Sequence, residues 1–274
     1  MLYTTVTISD FKDSDYINQL LKRNIGMELA LLTHLADVAD AAQQQKDLDA
    51  LKKEIADFKT MFDAFGVDIS KVRIHQPGGY SYAWFSGFDL LKDFFSYCRD
   101  IGLKKFTIHG PYGNVNADVD VELADFRKKL QILTEIGTVE VEEIVASCSE
   151  GVRCYNGKLL EKLLSGQQAT MLLDTYECGG IEGTIKRMQD LANKNFAVHS
   201  IHIHKDKHKF LSIEELVALL KSGFGGNIIN EAFVQNQSSF EEFIKTKSKT
   251  CIVSNEQRIA LLEQYQKQMN VYAS

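Results

Sequence analysis

The sequence predicts an α/β fold, a closed parallel (β/α)8 barrel of the TIM type, from three observations. Eight short apolar runs alternate with segments that have helical periodicity. The runs are apolar throughout rather than alternating, which is typical of parallel strands buried on both faces. Polar side chains collect at the carboxyl end of one run after another, where barrel enzymes place their active sites. An open doubly wound sheet is the alternative that the same alternation allows.

The predicted strands follow one another along the chain. They span 2–8, 26–31, 71–75, 104–109, 138–143, 169–174, 197–204 and 227–232. The clearest helix between them has apolar residues spaced by four and three positions: Val119, Leu123, Phe126, Leu130 and Leu133. The stretch from 34 to 64 is long and polar around Gln43–Gln45, so we expect a break or two helices there. A final helix should begin at the capping box Ser254-Asn255-Glu256-Gln257.

Length and charge limit the classes of protein. A barrel of this kind takes about 250 residues, so the 274 residues are expected to form one domain, 1–274. The net charge of −6 argues against non-specific nucleic-acid binding. The N-terminal residues lack a secretory signal, and no apolar run reaches the ~18 residues of a membrane span. We therefore expect a cytoplasmic protein without a nucleic-acid or membrane partner.

The cysteines point to the same compartment. There are five of them, an odd number, and none has Cys-x-x-Cys spacing. Such a set favours reduced thiols in the cytoplasm over a disulfide framework. The sequence leaves the oligomeric state open, and a homo-oligomer is compatible with it.

A hexapeptide pattern, Ile-His-x-Pro-x-Gly, occurs twice and contains the only two prolines of the chain. Its histidines are His75 and His109. Each copy follows a short apolar run, and proline prevents a strand from continuing inside a sheet. The copies are about one strand–helix unit apart. We therefore expect the two histidines to end neighbouring parallel strands on one rim of the barrel.

The later strands carry acids and histidines at their inward or terminal positions. In sequence order these are Glu140, Glu142, Asp174, Glu177, His202, His204 and Glu231. In strand five the valines alternate with Glu140 and Glu142, so both glutamates should point into the barrel, with Glu142 nearer the tip. Several carboxylates that converge in a barrel are tolerated only with a cation or a proton among them.

From Gly26-Met27-Glu28-Leu29 to Ile228-Ile229-Asn230-Glu231 the chain resembles the xylose isomerase-like barrel superfamily. That group includes sugar-phosphate isomerases and epimerases and, more distantly, apurinic-site endonucleases. Leu173-Asp174-Thr175-Tyr176 is the best single match. The resemblance implies one divalent metal ion bound by residues of strands five to eight: Glu142, Asp174, His202 and Glu231.

Two positions depart from the family pattern. The histidine usually found three residues after the aspartate is Glu177 here, which bears on substrate identity. Strand five reads Glu142-Glu143 where Glu-Asn or Glu-Pro is usual. Alternation favours Glu142 as the ligand, and Glu143 would replace it only if a bulge shifted the register.

The leading hypothesis is a metal-dependent isomerase or epimerase of a small sugar or sugar phosphate. One histidine and three carboxylates suit Mn²⁺ or Mg²⁺ better than Zn²⁺. Glu142 and Glu231 would act as general base and acid, moving a carbon-bound proton through a metal-stabilised enediolate. The remaining tip residues are expected to bind the substrate: His75, His109, Glu177 and His204.

Two other hypotheses stay open. A metal-cluster phosphodiesterase or apurinic-site nuclease would use His75 and His109 as further ligands, as the resemblance implies for that branch. The acidic charge and Glu177 count against it. A barrel that binds a ligand but has lost its chemistry is the third, because fold does not guarantee function. The sequence does not name the sugar or separate epimerisation from aldose–ketose exchange.

Overall fold

The strands of this protein close into a parallel barrel. The structure is a computed structural model that describes residues 1–33, 41–77, 84, 87–144, 152–204, 210–231 and 254–272. In chain order the barrel strands are β1 Leu2–Val6, β2 Gly26–Leu29, β3 Val72–His75, β4 Lys105–His109, β5 Thr138–Glu142, β6 Thr170–Asp174, β7 Val198–Ile203 and β8 Asn227–Asn230. Each pairs with its sequence neighbours, and β8 pairs with β1 to complete the ring. The predicted (β/α)8 barrel is confirmed, and the open sheet is excluded.

Helices follow the strands within the described residues. They are α1 Ser14–Lys22, α2 Ala41–Phe65, α3 Phe88–Asp100, α4 Val119–Ile136, α5 Gly157–Leu164, α6 Ile181–Ala192, α7 Ile213–Lys221 and α8 Asn255–Tyr272. Two short strands, Tyr112–Asn114 and Val152–Cys154, form an antiparallel pair outside the barrel. No helix in the described ranges is both long enough and apolar enough to cross a lipid bilayer.

The break predicted between residues 34 and 64 is wrong for the part of that stretch that the structure describes. Helix α2 runs unbroken through the glutamines, while residues 34–40 lie outside the described ranges. Gln43 Nε2 donates to Asp47 Oδ1 at 2.8 Å, and Gln45 Nε2 donates to Asp49 Oδ1 at 2.8 Å. Because side-chain bonds at i,i+4 support a helix, a polar stretch need not interrupt it.

The last helix begins where the capping box predicted. The Gln257 N–H donates to Ser254 Oγ at 3.3 Å, and the Ser254 N–H donates to Gln257 Oε1 at 3.0 Å. One turn on, the buried Arg258 donates to the Thr5 carbonyl at 2.7 Å and to Asp10 Oδ1 at 3.2 Å. Helix α8 is thereby attached to the first strand and the turn that follows it.

The barrel interior contains an apolar cluster of Tyr3, Leu172 and Ile229, all buried. Gly26 makes room for the Tyr3 ring, since a Cβ at that position would lie 2.4 Å from Tyr3 Cδ1 and 2.9 Å from the Lys71 carbonyl oxygen. The Tyr3 ring can therefore occupy this position only because residue 26 of β2 has no side chain.

Gly26→Ala should lower the free energy of unfolding by about 1–3 kcal/mol, because overpacking displaces a buried ring. Chemical denaturation of both proteins measures this difference. Gly225→Ala is the matched control, as a Cβ there meets no atom within 4 Å, and its effect should stay within about 0.5 kcal/mol. Equal losses in the two variants would contradict the close packing of Tyr3 on Gly26.

The cysteines differ in part from the expectation. Cys98 and Cys178 are free thiols, but Cys154 is disulfide-bonded, so the prediction of reduced thiols is wrong for Cys154. Its partner lies outside the described residues. The reason is geometric: a disulfide requires two Cα atoms within about 4.4–6.8 Å, a separation that spacing along the chain does not reveal.

Candidate active site

The polar strand tips meet at the carboxyl end of the barrel. One ligand atom from each of four side chains lies within 4.8 Å of the others: Glu142, Asp174, His202 and Glu231. Strand register explains part of this, since Asp174 of β6 is aligned with His202 of β7. The structure thus brings together the four side chains of the ligand set implied by the resemblance.

His75 and His109 form a second group with Glu142. Their Nε2 atoms lie 3.3 Å and 3.6 Å from Glu142 Oε2, and their ring centroids are 4.8 Å apart. The other carboxylate oxygen, Oε1, lies 3.4 Å from His202 Nδ1. Glu142 therefore joins the histidine pair to the four-residue group.

The repeated hexapeptide positions this pair. As predicted, the two histidines end neighbouring strands, because β3 pairs with β4. The Gln76 N–H extends that pairing by donating to the Thr107 carbonyl at 2.8 Å, and Gln76 Oε1 accepts from the His109 N–H at 3.2 Å. Trp84 Nε1 donates to the His109 carbonyl at 2.8 Å. Both histidines are consequently held on the same rim.

The Asp174 carboxylate is oriented by the turn that follows it. Its Oδ1 accepts from the backbone N–H groups of Tyr176 and Glu177 at 2.6 Å and 2.9 Å. Its Oδ2 lies 2.7 Å from His204 Nε2. Thr175 attaches this turn to β7, since its hydroxyl donates to the His204 carbonyl at 2.7 Å. Aspartate and threonine in the matched segment thus each have a structural role.

His204 and Glu177, both expected to bind substrate, differ in their position relative to the four-residue group. His204 Nε2 also lies 3.3 Å from Glu231 Oε2, so this ring contacts two carboxylates of the four-residue group. Glu177 lies outside the groups of candidate ligands. Burial, and after it the Glu177 charge, raises the pKa of Tyr112, which begins the first strand of the short antiparallel pair.

The two adjacent glutamates of strand five point in opposite directions. Glu142 faces into the barrel, whereas Glu143 accepts from Arg187 Nε at 2.7 Å and from Arg187 Nη2 at 2.9 Å. Glu143 Oε1 also accepts from the Gly157 N–H at the start of α5, at 2.7 Å. The register is the one that alternation predicts, and Glu143 contributes to packing between β5, α5 and α6.

Sequence reasoning did not single out Glu28, which lies beneath His202. Its Oε2 is 3.1 Å from His202 Nε2, and its Oε1 is 3.2 Å from Arg73 Nε. Arg73 also pairs with Glu140, which points inward as predicted but belongs to this deeper layer. The available signal was a glutamate in a four-residue buried strand, because a buried charge requires a partner.

The charges of the site act on each other strongly. Burial alone would raise the pKa of Glu142, but His202, His75 and His109 around it hold that pKa well below its usual range. Burial would lower the pKa of His202, yet Glu28, Glu231 and Glu142 raise it well above its usual value. Glu142 is therefore an ionised carboxylate.

The pKa values of His75 and His109 are shifted in opposite directions. Burial lowers the pKa of His75, but its hydrogen bond to Glu142 and the charges of Glu28, Glu142 and Glu231 outweigh this and raise it to about 9. Burial dominates at His109 and lowers its pKa to about 3. His109 is thus neutral beside a charged neighbour.

The donor set fits a divalent ion. His202 Nδ1 is buried without a hydrogen-bond partner, and it faces Glu142 Oε1 at 3.4 Å and Glu231 Oε2 at 3.5 Å. These separations suit atoms that share an ion at about 2.0–2.3 Å each. Three carboxylates and one imidazole form a hard donor set of the kind that Mn²⁺ and Mg²⁺ prefer.

Comparison with known proteins identifies relatives in structure alone. No protein-family model and no curated protein matches the sequence. L-ribulose 3-epimerase has 14% identity and a TM-score of 0.57, over 100% of this chain and 95% of that one. D-allulose 3-epimerase from Methylomonas sp. has 12% identity and a TM-score of 0.60, over 97% and 98%. A xylose isomerase domain protein from Salmonella typhimurium LT2 has 10% identity and a TM-score of 0.50, over 99% and 97%. The resemblance to xylose isomerase-like barrels is thereby confirmed as a likeness of fold.

Proposed function

We propose that this chain is a divalent-metal-dependent isomerase or epimerase of a small sugar or sugar phosphate. The observation that carries the proposal is the convergence of three carboxylates and the His202 ring, with one ligand atom of each within 4.8 Å of the others, at the carboxyl end of the barrel. The fold shared with sugar 3-epimerases supports the same class of reaction.

Glu142, Asp174, His202 and Glu231 would hold the ion, for which Mn²⁺ or Mg²⁺ is preferred over Zn²⁺. Bound there, it would supply positive charge that polarises a substrate carbonyl and offsets charge on neighbouring oxygens. The proton on the adjacent carbon would then be more acidic, and a carboxylate base could remove it.

Glu142 and Glu231 are the proposed groups for proton transfer. They come from the ends of β5 and β8, so a small substrate between them meets a carboxylate on each side. The Glu142 side chain is 6% exposed and ionised, whereas that of Glu231 is 16% exposed. If one carboxylate removed the carbon-bound proton and the other, initially protonated, delivered its own proton to the opposite face, the carbon centre would be inverted.

His75 and His109 are the proposed contacts to substrate hydroxyls. Their side chains are 16% and 12% exposed, while that of His202 is fully buried. The pair therefore lies on the open side of the site. A charged His75 would donate to a hydroxyl or alkoxide oxygen, and a neutral His109 can donate or accept.

Deuterium exchange tests the proposed reaction directly. The Mn²⁺-loaded protein should exchange a carbon-bound hydrogen for deuterium in D₂O with at least one member of a panel of ketopentoses, ketohexoses and their phosphates. NMR of the recovered sugar would locate the exchanged carbon and separate epimerisation from aldose–ketose exchange. Absence of exchange across the panel would contradict the proposal.

The second candidate function is a metal-cluster phosphodiesterase acting on abasic nucleic acid. One observation favours it: His75, His109 and Glu142 form a further group able to hold an ion. Such an enzyme requires two or three ions per chain, whereas the epimerase requires one.

His75→Ala and His109→Ala distinguish the two functions. If the histidines bind substrate, each variant should lose about 1–3 kcal/mol in kcat/KM, because one hydrogen bond is lost, and retain one ion per chain. Elemental analysis alongside kinetics provides the measurement. Release of an ion from a wild type holding two or more, together with loss of abasic-duplex cleavage, would support the phosphodiesterase instead.

A further inference from the structure

His202 is held from the inner side by a carboxylate outside the proposed ligand set. The ring is fully buried, and its Nε2 lies 3.1 Å from Glu28 Oε2 and 3.2 Å from Glu28 Oε1. Its Nδ1 faces Glu142 and Glu231. In a neutral imidazole the nitrogen bonded to a carboxylate carries the proton, so the other presents its lone pair.

Glu28 is itself held in place from two neighbouring strands. Arg73 of β3 pairs with Glu28 Oε1 at 3.2 Å, and the Thr107 hydroxyl of β4 donates to the same oxygen at 3.0 Å. Arg73 Nη2 donates in turn to Thr107 Oγ1 at 2.7 Å. Oε1 is also the oxygen that is hydrogen-bonded to His202 Nε2, so contacts from β3, β4 and β7 hold the Glu28 carboxylate against the His202 ring.

We propose that Glu28 is a positioning residue for the metal site: it accepts the Nε2 proton of His202 and so directs Nδ1 at Glu142 and Glu231. Arg73 and Thr107 keep Glu28 in that orientation. The inference rests on the proposed function for the ion, and it adds a residue from β2, a strand that supplies none of the four ligands.

Glu140 offers a matched control in the same layer. It pairs with Arg73 and accepts from the Ser200 hydroxyl at 2.9 Å, so its loss also disturbs the buried network. Within the described residues no hydrogen bond or ion pair links it to His202. Variants at the two glutamates therefore separate a general loss of buried charge pairing from a specific loss of histidine positioning.

The experiment measures Mn²⁺ affinity by electron paramagnetic resonance for wild type, E28A, E28Q and E140Q. E28A should weaken Mn²⁺ binding about 10–100-fold, the usual cost of losing a partner of a metal-bound histidine. E28Q should lose less, because the amide oxygen still accepts the Nε2 proton. E140Q should bind Mn²⁺ like wild type, even if its thermal midpoint falls as far as that of E28Q.

The histidine tautomer gives an independent readout. In ¹⁵N-histidine-labelled, Mg²⁺-saturated protein, His202 should carry its proton on Nε2 in wild type and E140Q. E28A should lose that signal or show both tautomers. A proton on Nδ1 in the wild type would overturn the proposal.

Equal Mn²⁺ affinity in wild type and E28A, or equal losses in E28Q and E140Q, would likewise overturn it. If E28A does not fold, the comparison of E28Q with E140Q decides. Sugar turnover plays no part in either readout. An inactive wild type whose Mn²⁺ affinity still falls in E28A would therefore refute the proposed function and leave Glu28 as a positioning residue.

Discussion

Glu142→Gln should abolish turnover and weaken Mn²⁺ binding, whereas Glu143→Gln should leave both close to wild type. Glu142 lies among His75, His109 and His202 and is ionised there. A glutamine of the same shape cannot accept a proton, and general-base catalysis typically contributes about 10²–10⁴-fold to the rate. The amide is also a poorer ligand than a carboxylate for a divalent ion.

Glu143→Gln should instead reduce stability. The substitution breaks a two-point pair with Arg187 outside the barrel, which should lower the free energy of unfolding by about 1–3 kcal/mol. Steady-state kinetics, Mn²⁺ titration and chemical denaturation of the two variants measure the contrast. An active Glu142→Gln protein beside an inactive, well-folded Glu143→Gln protein would show that the proposed ligand and base are wrong.

Removal of divalent ions with a chelator should abolish turnover and lower the thermal midpoint, and Mn²⁺ should restore both. Without an ion, the carboxylates of Glu142, Asp174 and Glu231 converge with only the neighbouring histidines, among the described residues, to offset their charge. An ion that binds only the folded chain adds about 2.7 kcal/mol when present at 100 times its Kd. For a domain of this size that corresponds to a shift of about 5–10 °C.

Calorimetry with and without Mn²⁺ measures this shift. Glu142→Gln is the control, because a chain lacking one ligand should show a much smaller Mn²⁺-dependent increase in the midpoint. Undiminished turnover in chelator, with a midpoint that does not respond to Mn²⁺, would exclude a metal-dependent reaction.

The sequence pattern correctly predicted the direction of a side chain where that direction depends only on the strand that carries it. Alternation of valine and glutamate in β5 placed Glu142 inside the barrel, and the structure has it there. The hexapeptide repeat placed His75 and His109 side by side, and β3 does pair with β4. Both predictions succeed because Cβ atoms alternate across a strand and parallel strands end on one rim.

Apolar periodicity failed where an outcome depends on bonds between polar side chains or between cysteines. The polar glutamines of α2 suggested a break, but bonds to Asp47 and Asp49 support a continuous helix. The bonded state of Cys154 was likewise not evident from spacing. In each case the deciding interaction lies outside the apolar periodicity from which the elements were predicted.

The sequence by itself determined the barrel, the order of its strands and the polar residues at their tips, because periodicity and proline act within a few residues. Only the tertiary structure decided the partners of those residues. Closure of the ring brings Glu28 of β2 against His202 of β7, and Glu143, just after β5, pairs with Arg187 of α6. Contacts between residues so distant in sequence depend on the curvature of a closed sheet and on helix packing, which no short stretch of chain encodes.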